Sequence, residues 1–262
     1  MNANEYINQF YENYDEEGRL LTRYGRVEFE TTMRYIRRYL TEGARILEIG
    51  AGTGRYSHAL ARMGYPVDAV ELVQHNIDIF NSLTQPGEEI TIRQGDARDL
   101  SCFEDGNYDM VLLLGPMYHL FTEEDQLRAL SEALRVLKKG GLLFAAYIGN
   151  DACMVRHCFA RGLLQDERYL QSVDMDSFKA LADPTERFVL YRQEEIRALM
   201  AHFSATRLHF VGSDMLTDFI RAELADMDDS LFEMYLRYQL VICERADMVG
   251  TSQHFLDICR KD

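Results

Sequence analysis

Ile46-Leu47-Glu48-Ile49-Gly50-Ala51-Gly52-Thr53-Gly54-Arg55-Tyr56-Ser57 reads as a buried strand running into three alternate glycines and then a helix. Glycine has no Cβ, so a chain with glycine at every second position can turn sharply and bring its backbone close to a ligand. Amide N–H groups at the start of the following helix then point at an anionic group. A bare strand-to-helix turn needs one glycine rather than three. The stretch therefore reads as a loop for a nucleotide-type cofactor.

Spacing narrows the cofactor. The dinucleotide fingerprint is G-x-G-x-x-G, and here Arg55 stands where its third glycine belongs while Gly54 comes one residue early, which disfavours NAD. Downstream, Pro66-Val67-Asp68-Ala69-Val70-Glu71 is a short apolar strand ending in a carboxylate, whose two oxygens can accept both hydroxyls of a ribose diol. A third strand over 90–94 runs into Gly95-Asp96-Ala97-Arg98-Asp99-Leu100, which by itself is also ordinary turn chemistry. The fourth, over 108–114, is an almost unbroken apolar run, as a parallel strand covered on both faces should be. A helix over 124–137 follows, with Leu127, Leu130, Leu134 and Leu137 on one face, and Lys138-Lys139-Gly140-Gly141 reads as its stop before a strand over 142–148.

The pattern Glu48-x-Gly50-x-Gly52-x-Gly54, the acid Glu71, the Gly95-Asp96-Ala97 turn and the run from Glu132 to Gly141 resemble, in order and spacing, the class I S-adenosylmethionine-dependent methyltransferases. The resemblance covers about residues 41–150. It implies a doubly wound α/β fold: a seven-stranded, mostly parallel sheet with a final antiparallel strand, helices on both faces, an N-terminal helical lid and a cap insertion after strand 5. It also implies a glycine loop under the methionine part of the cofactor, with Glu48 helping to hold its charged amino end. Asp96 would accept from the exocyclic amine of adenine and the amide of Ala97 would donate to the ring. The cofactor-binding candidates are Glu48, Gly50, Ala51, Gly52, Gly54, Tyr56, Glu71, Leu72, Asp96, Ala97 and Leu114. The cofactor expected is S-adenosyl-L-methionine, leaving S-adenosyl-L-homocysteine as product, and no metal is expected.

Catalytic candidates follow the fourth strand, where the ligand crevice of such a fold lies, in Gly115-Pro116-Met117-Tyr118-His119-Leu120. His119 can take a proton from the nucleophile, since an imidazole titrates near neutrality, and Tyr118 can orient a substrate. Packing of the strand-to-helix turn is the alternative for both. The Asn/Asp-Pro-Pro-aromatic segment of methyltransferases that act on base amines does not stand at this position.

Composition bounds the rest. With 43 acidic and 28 basic residues among 262, the formal charge of -15 repels a polyanion at long range, so no nucleic-acid partner is expected. The clusters Arg34, Arg37, Arg38 and Arg128, Arg135, Lys138, Lys139 read as solvated helix faces. No run is apolar and long enough to cross a membrane, and the first residues lack a basic region followed by an apolar one, so a cytoplasmic protein without a membrane partner is expected. Five scattered cysteines favour reduced thiols; Cys153 and Cys158 flank a possible pocket loop. A thiophilic or metalloid substrate there is the alternative to ordinary half-buried cysteines.

The expected organisation is a lid over 1–40, with Tyr11 and Tyr14 either covering the cofactor or packing, and a cofactor-binding half over 41–149. A cap insertion over 150–188 and the C-terminal part of the same core over 189–262 complete it. A helix from 26 to 40, another from 191 to 203, a strand over 205–211, a helix from 229 to 248 and a last strand over 252–259 are predicted. His254 reads as structural, with a pocket-facing role as the alternative. The functional expectation is methyl transfer to a small-molecule amine, hydroxyl or thiol, with a mild preference for a neutral or cationic acceptor. The alternatives are a nucleic-acid or protein methyltransferase and a non-catalytic cofactor-binding protein. Sequence leaves the oligomeric state open.

Overall fold

The chain is described from a computed structural model over residues 3–12, 14, 16–183 and 188–262. Asn13 and Asp15 of the expected lid and residues 184–187 of the expected cap lie outside the described residues.

Strand β1 (Ile46–Ile49) is buried at every position, because in a parallel sheet both faces are covered. It pairs in parallel with β2 (Val67–Glu71) on one side and β4 (Tyr108–Leu113) on the other. The sheet runs β3 (Ile90–Gln94), β2, β1, β4, β5 (Leu137–Gly149), β10 (His254–Lys261), β9 (Ala205–Gly212), and β8 (Leu190–Tyr191) adds a short parallel pairing to the end of β5. Among the seven main strands, β10 alone runs against its neighbours. The parallel majority and the antiparallel β10 agree with the sheet expected from the sequence.

Alternation along the strands divides the core between the two faces. Leu47, Ile49, Val111 and Leu113 pack with α6 (Glu123–Val136) and α9 (Gln193–Met200). Ile46, Met110 and Leu112 pack with α3 (Arg23–Tyr39) and α4 (Arg55–Arg62). Phe80 of α5 (Gln74–Leu83) packs against Ala51 and Ala69. Two of these helices start on threonine caps, Thr22 accepting from the amide of Gly25 and Thr122 from that of Asp125. Ahead of them lie α1 (Ala3–Glu12) and α2 (Glu16–Leu21). After β5 come α7 (Asn150–Cys153), a π-helical turn over Met154–Phe159, α8 (Glu167–Gln171) and the ribbon of β6 (Val173–Asp174) and β7 (Lys179–Ala180). The chain then closes through α10 (Arg221–Asp226), α11 (Asp229–Ile242) and β10.

Several boundaries differ from the sequence reading. Lys138 to Gly141 lie within β5 and do not close the helix: β4 pairs Tyr108 with Leu137 and then Met110 with Leu142, so these four residues bulge out of the register between two paired positions, with Gly140 at φ 79°. Tyr191 belongs to β8, and its helix begins only at Gln193. α11 stops at Ile242, where the carbonyl of Cys243 accepts from the Gly212 amide. β10 starts at His254, since Ser252 is spent bridging Asp214 and the Met215 amide. No helix among the described residues is long and apolar enough to cross a membrane.

Candidate active site

The glycine loop lies at the carboxyl end of β1 with Gly50, Gly52 and Gly54 at φ 73°, 55° and 89°, a region open to glycine and strained for other residues. A Cβ on Gly50 would fall 2.6 Å from Cδ of Pro116, and one on Gly54 would fall 2.4 Å from Cδ2 of Phe80. On Gly52 it would meet nothing within 4 Å. The outer two glycines therefore bring the loop after β4 and helix α5 into contact, while the middle one leaves a hollow. The amides of Gly50 and Ala51 both donate to Val70 O, at 2.8 and 3.1 Å, tying the loop to β2.

Around that hollow stand Glu48, Gly50, Ala51, Gly52, Tyr56, Glu71, Leu72, Asp96, Ala97, Leu114, Tyr118 and His119. Gly54 does not reach the wall. Glu71, 6% exposed, accepts from the Gly52 amide at 2.8 Å, the Val73 amide at 2.9 Å and Asn76 Nδ2 at 3.3 Å. Burial still raises its pKa against these donors. Glu48 is buried beneath the loop, its Oε2 accepting from the amide of Ser57 at 2.9 Å and from the Ser57 hydroxyl. Desolvation pushes its carboxyl up to about 8, so it carries its proton at neutral pH. Asp96 behaves the other way. Burial favours its acid form, but the Arg98 guanidinium and amide outweigh burial and hold its pKa below the usual carboxylate range.

Helix α1 roofs the hollow with Asn4, Ile7 and Tyr11. The hydroxyl of Tyr11 lies 2.9 Å from Nε2 of His119, and Asn4 Oδ1 accepts from Arg98 at 3.4 Å. The Phe188 ring lies 5.3 Å from that of His119, tilted, and meets Tyr118 at 5.7 Å and Phe10 at 6.1 Å edge to face, joining its own segment to α1 and to the turn after β4. Tyr14 stacks on Phe10 at 4.9 Å and does not line the hollow. Tyr118 donates to Leu114 O at 3.1 Å, which pins the turn between β4 and His119.

A methyltransferase-domain family model matches residues 47–145, from β1 through the middle of β5. Residues 47–145 form a class I S-adenosylmethionine-dependent methyltransferase domain. The chain is 32% identical over 143 residues to a glycine/sarcosine N-methyltransferase of Aphanothece halophytica, covering 53% of this chain and 52% of that one. It is 34% identical over 112 residues to a ubiquinone biosynthesis O-methyltransferase of Maricaulis maris, covering 42% and 43%. The chain thus spans about half the length of these curated relatives. The structure of a SAM-dependent methyltransferase from Methanosarcina mazei superimposes over 87% of this chain and 96% of its own with a TM-score of 0.58 at 19% identity, which shows the shared fold.

S-adenosylmethionine is the cofactor of such a domain, and the residues present suit it: an open hollow at Gly52, a buried carboxylate at the tip of β2 and a half-buried acid after β3. Several residues of the cleft wall carry no motif in the sequence: Asn4, Ile7, Arg19, Glu28, Arg55, Asn76, Phe121 and Asp125. Arg98 had a local signal, since an aspartate two residues before it forms an Asx turn. Arg19 and Glu28, paired at 3.0 Å, come from two helices with no spacing rule to announce them.

His254 sits outside the wall of the domain's cleft, buried against Asp214 at 2.7 Å. Its pKa is raised, burial opposing and the carboxylates of Glu28 and Asp214 prevailing. All five cysteines are free thiols, with none in the wall, and burial pushes the Cys153 thiol up and keeps it protonated. None of residues 150–183 lines the cleft. Among the described residues no group of three or more His, Cys, Asp and Glu could hold a metal.

Proposed function

We propose that this chain transfers the methyl group of S-adenosylmethionine to a small-molecule amine, hydroxyl or thiol. The observation that carries the reading is the roofed hollow: glycine loop, Glu48 and Glu71 on one side, Tyr118 and His119 on the other, with Tyr11 hydrogen-bonded across the top. Glu71 would take the ribose hydroxyls, Asp96 and the Ala97 amide the adenine edge, and Glu48 the ammonium of the methionine end. The bound cofactor supplies an electrophilic methyl already activated by its sulfonium. The chain's task is then alignment and exclusion of water, and positioning alone can supply a large part of the rate. His119, held by Tyr11, takes a proton from the acceptor where that nucleophile is protonated, and Tyr118 orients it.

Small acceptors are favoured by the charges around the cleft. Of the three guanidiniums among the described wall residues, Arg19 is paired with Glu28 and Arg98 with Asp96 and Asp125, which leaves Arg55 as a single point and not a stripe. A nucleic-acid stripe would instead leave cations open to phosphates. The names of the relatives point to small acceptors, glycine or sarcosine and a ubiquinone precursor. The test is release of S-adenosylhomocysteine over panels of small amines, phenols and thiols, with RNA and protein extracts as controls. Turnover confined to small molecules is expected; turnover confined to RNA or protein overturns the acceptor class. His119→Ala should lower turnover by about 10²- to 10⁴-fold with cofactor affinity kept, and retained turnover returns His119 to packing.

A further inference from the structure

Arg55 opens α4 directly after Gly54 and lines the same hollow. Its guanidinium carbon lies 4.4 Å from the centre of the Phe29 ring, a contact that fixes the plane of the group and strips water from one face. Its Nε is buried and has no hydrogen-bond partner among the described residues. The other two guanidiniums of the wall are committed, Arg19 to Glu28 at 3.0 Å and Arg98 to Asp96 at 2.6 Å. A buried donor on a permanently charged group is costly when unpartnered, so its partner is expected to arrive with the ligand.

The shape and the neighbours choose that partner. A fixed planar fork matches a carboxylate or a phosphate. Glu28 and Glu71 stand on the same wall and disfavour a phosphate, whereas a carboxylate attached to an ammonium places one charge on each kind of residue. We propose that Arg55 is the carboxylate anchor of the cleft, taking the α-carboxylate of an amino-acid group whose ammonium lies toward Glu48 and Glu28. The group is either the methionine end of the cofactor or an amino-acid acceptor. The inference rests on the cofactor reading above.

Calorimetric titration of the full chain with S-adenosylhomocysteine and with 5′-methylthioadenosine, which lacks the amino-acid end, tests it. Arg55→Met should weaken S-adenosylhomocysteine by about 10- to 100-fold and leave methylthioadenosine unchanged, with Arg55→Lys recovering part of the loss. If S-adenosylhomocysteine is unaffected, glycine binding to the S-adenosylhomocysteine-saturated chain should depend on Arg55, which assigns the anchor to the acceptor. Equal losses for both nucleosides would overturn the proposal by making Arg55 a support of the loop, as would unchanged S-adenosylhomocysteine with no Arg55-dependent glycine binding. A wild-type chain that binds neither nucleoside would instead remove the cofactor reading itself, and the anchor with it.

Discussion

Gly50 and Gly52 should respond differently to the same substitution. Gly50→Ala drives a methyl into Pro116 on top of a strained φ, so it should both destabilise the fold and displace the turn that holds Tyr118 and His119. Gly52→Ala meets no atom, so the cost is a left-handed alanine, about 1 kcal/mol, while the methyl occupies the hollow. Thermal melts and cofactor titrations should show Gly50→Ala losing more stability, and Gly52→Ala losing cofactor affinity out of proportion to its stability. Glu48 adds a pH signature. Its carboxyl rises from the ordinary 4.5 to about 8 on folding, so its contribution to stability is full below pH 4.5 and is lost as pH climbs through about 8. Glu48→Gln should flatten the loss of melting temperature between pH 5 and 8.5. If Glu48 meets the ligand's ammonium, cofactor binding at pH 7 should release close to one proton, measured by calorimetry in buffers of different ionisation enthalpy; no release would place the ammonium elsewhere.

Among the elements, α1 makes the clearest case for a removable part. Its contacts with the body include Tyr11 to His119, Asn4 to Arg98, the Phe10 ring and the buried Ile7, and the two large core clusters of the sheet hold none of its residues. Lids belong to the weakly held end of a structure, and closure commits the ligand. Deleting residues 1–12 should leave the urea midpoint near that of the full chain and speed S-adenosylhomocysteine release by about tenfold, equivalent to ~1.4 kcal/mol. An unchanged release rate would reduce α1 to decoration. The join between α3 and β10 is different: Tyr24 donates to Asp214 at 2.9 Å, and His254 meets the same carboxylate with Glu28 3.8 Å away. The raised pKa of His254 means its contribution is full below pH 6.5 and lost as pH rises through the folded value; that of Asp214, lowered, is lost as pH falls through its own. His254→Gln removes the charged partner of the buried Asp214 carboxylate but leaves it the Tyr24 and Ser252 hydroxyls and the residue-254 amide, so it should cost about 1 to 2 kcal/mol at pH 6, with a smaller difference at pH 9 in urea melts.

At the scale of the molecule, what was legible in the sequence was what neighbouring residues dictate. Strand, glycines and helix lie within 46–57, and the acids Glu71 and Asp96 follow the next two strands, so the parallel sheet and one wall of the cleft could be read along the chain. The start of β5 is not legible because Lys138 to Gly141 obey the local rule for a helix end, while the pairing of Leu137 with Tyr108 on the far side of them extends the strand back across an unpaired bulge. The roof and the Arg19–Glu28 pair depend on contacts across the fold that no spacing announces. Arg55 was visible only as the residue that broke a dinucleotide fingerprint; its exposure to the cleft needed the packing of Phe29.

The hollow beside Gly52 is proposed to hold an adenosyl sulfonium by its ribose and its amino-acid end. A crystal structure of the chain grown with S-adenosylhomocysteine should show the nucleoside in that hollow, both ribose hydroxyls within hydrogen-bond distance of the Glu71 carboxylate and the homocysteine chain running toward Glu48. A nucleoside bound elsewhere, or lying there with its ribose turned away from Glu71, would contradict it.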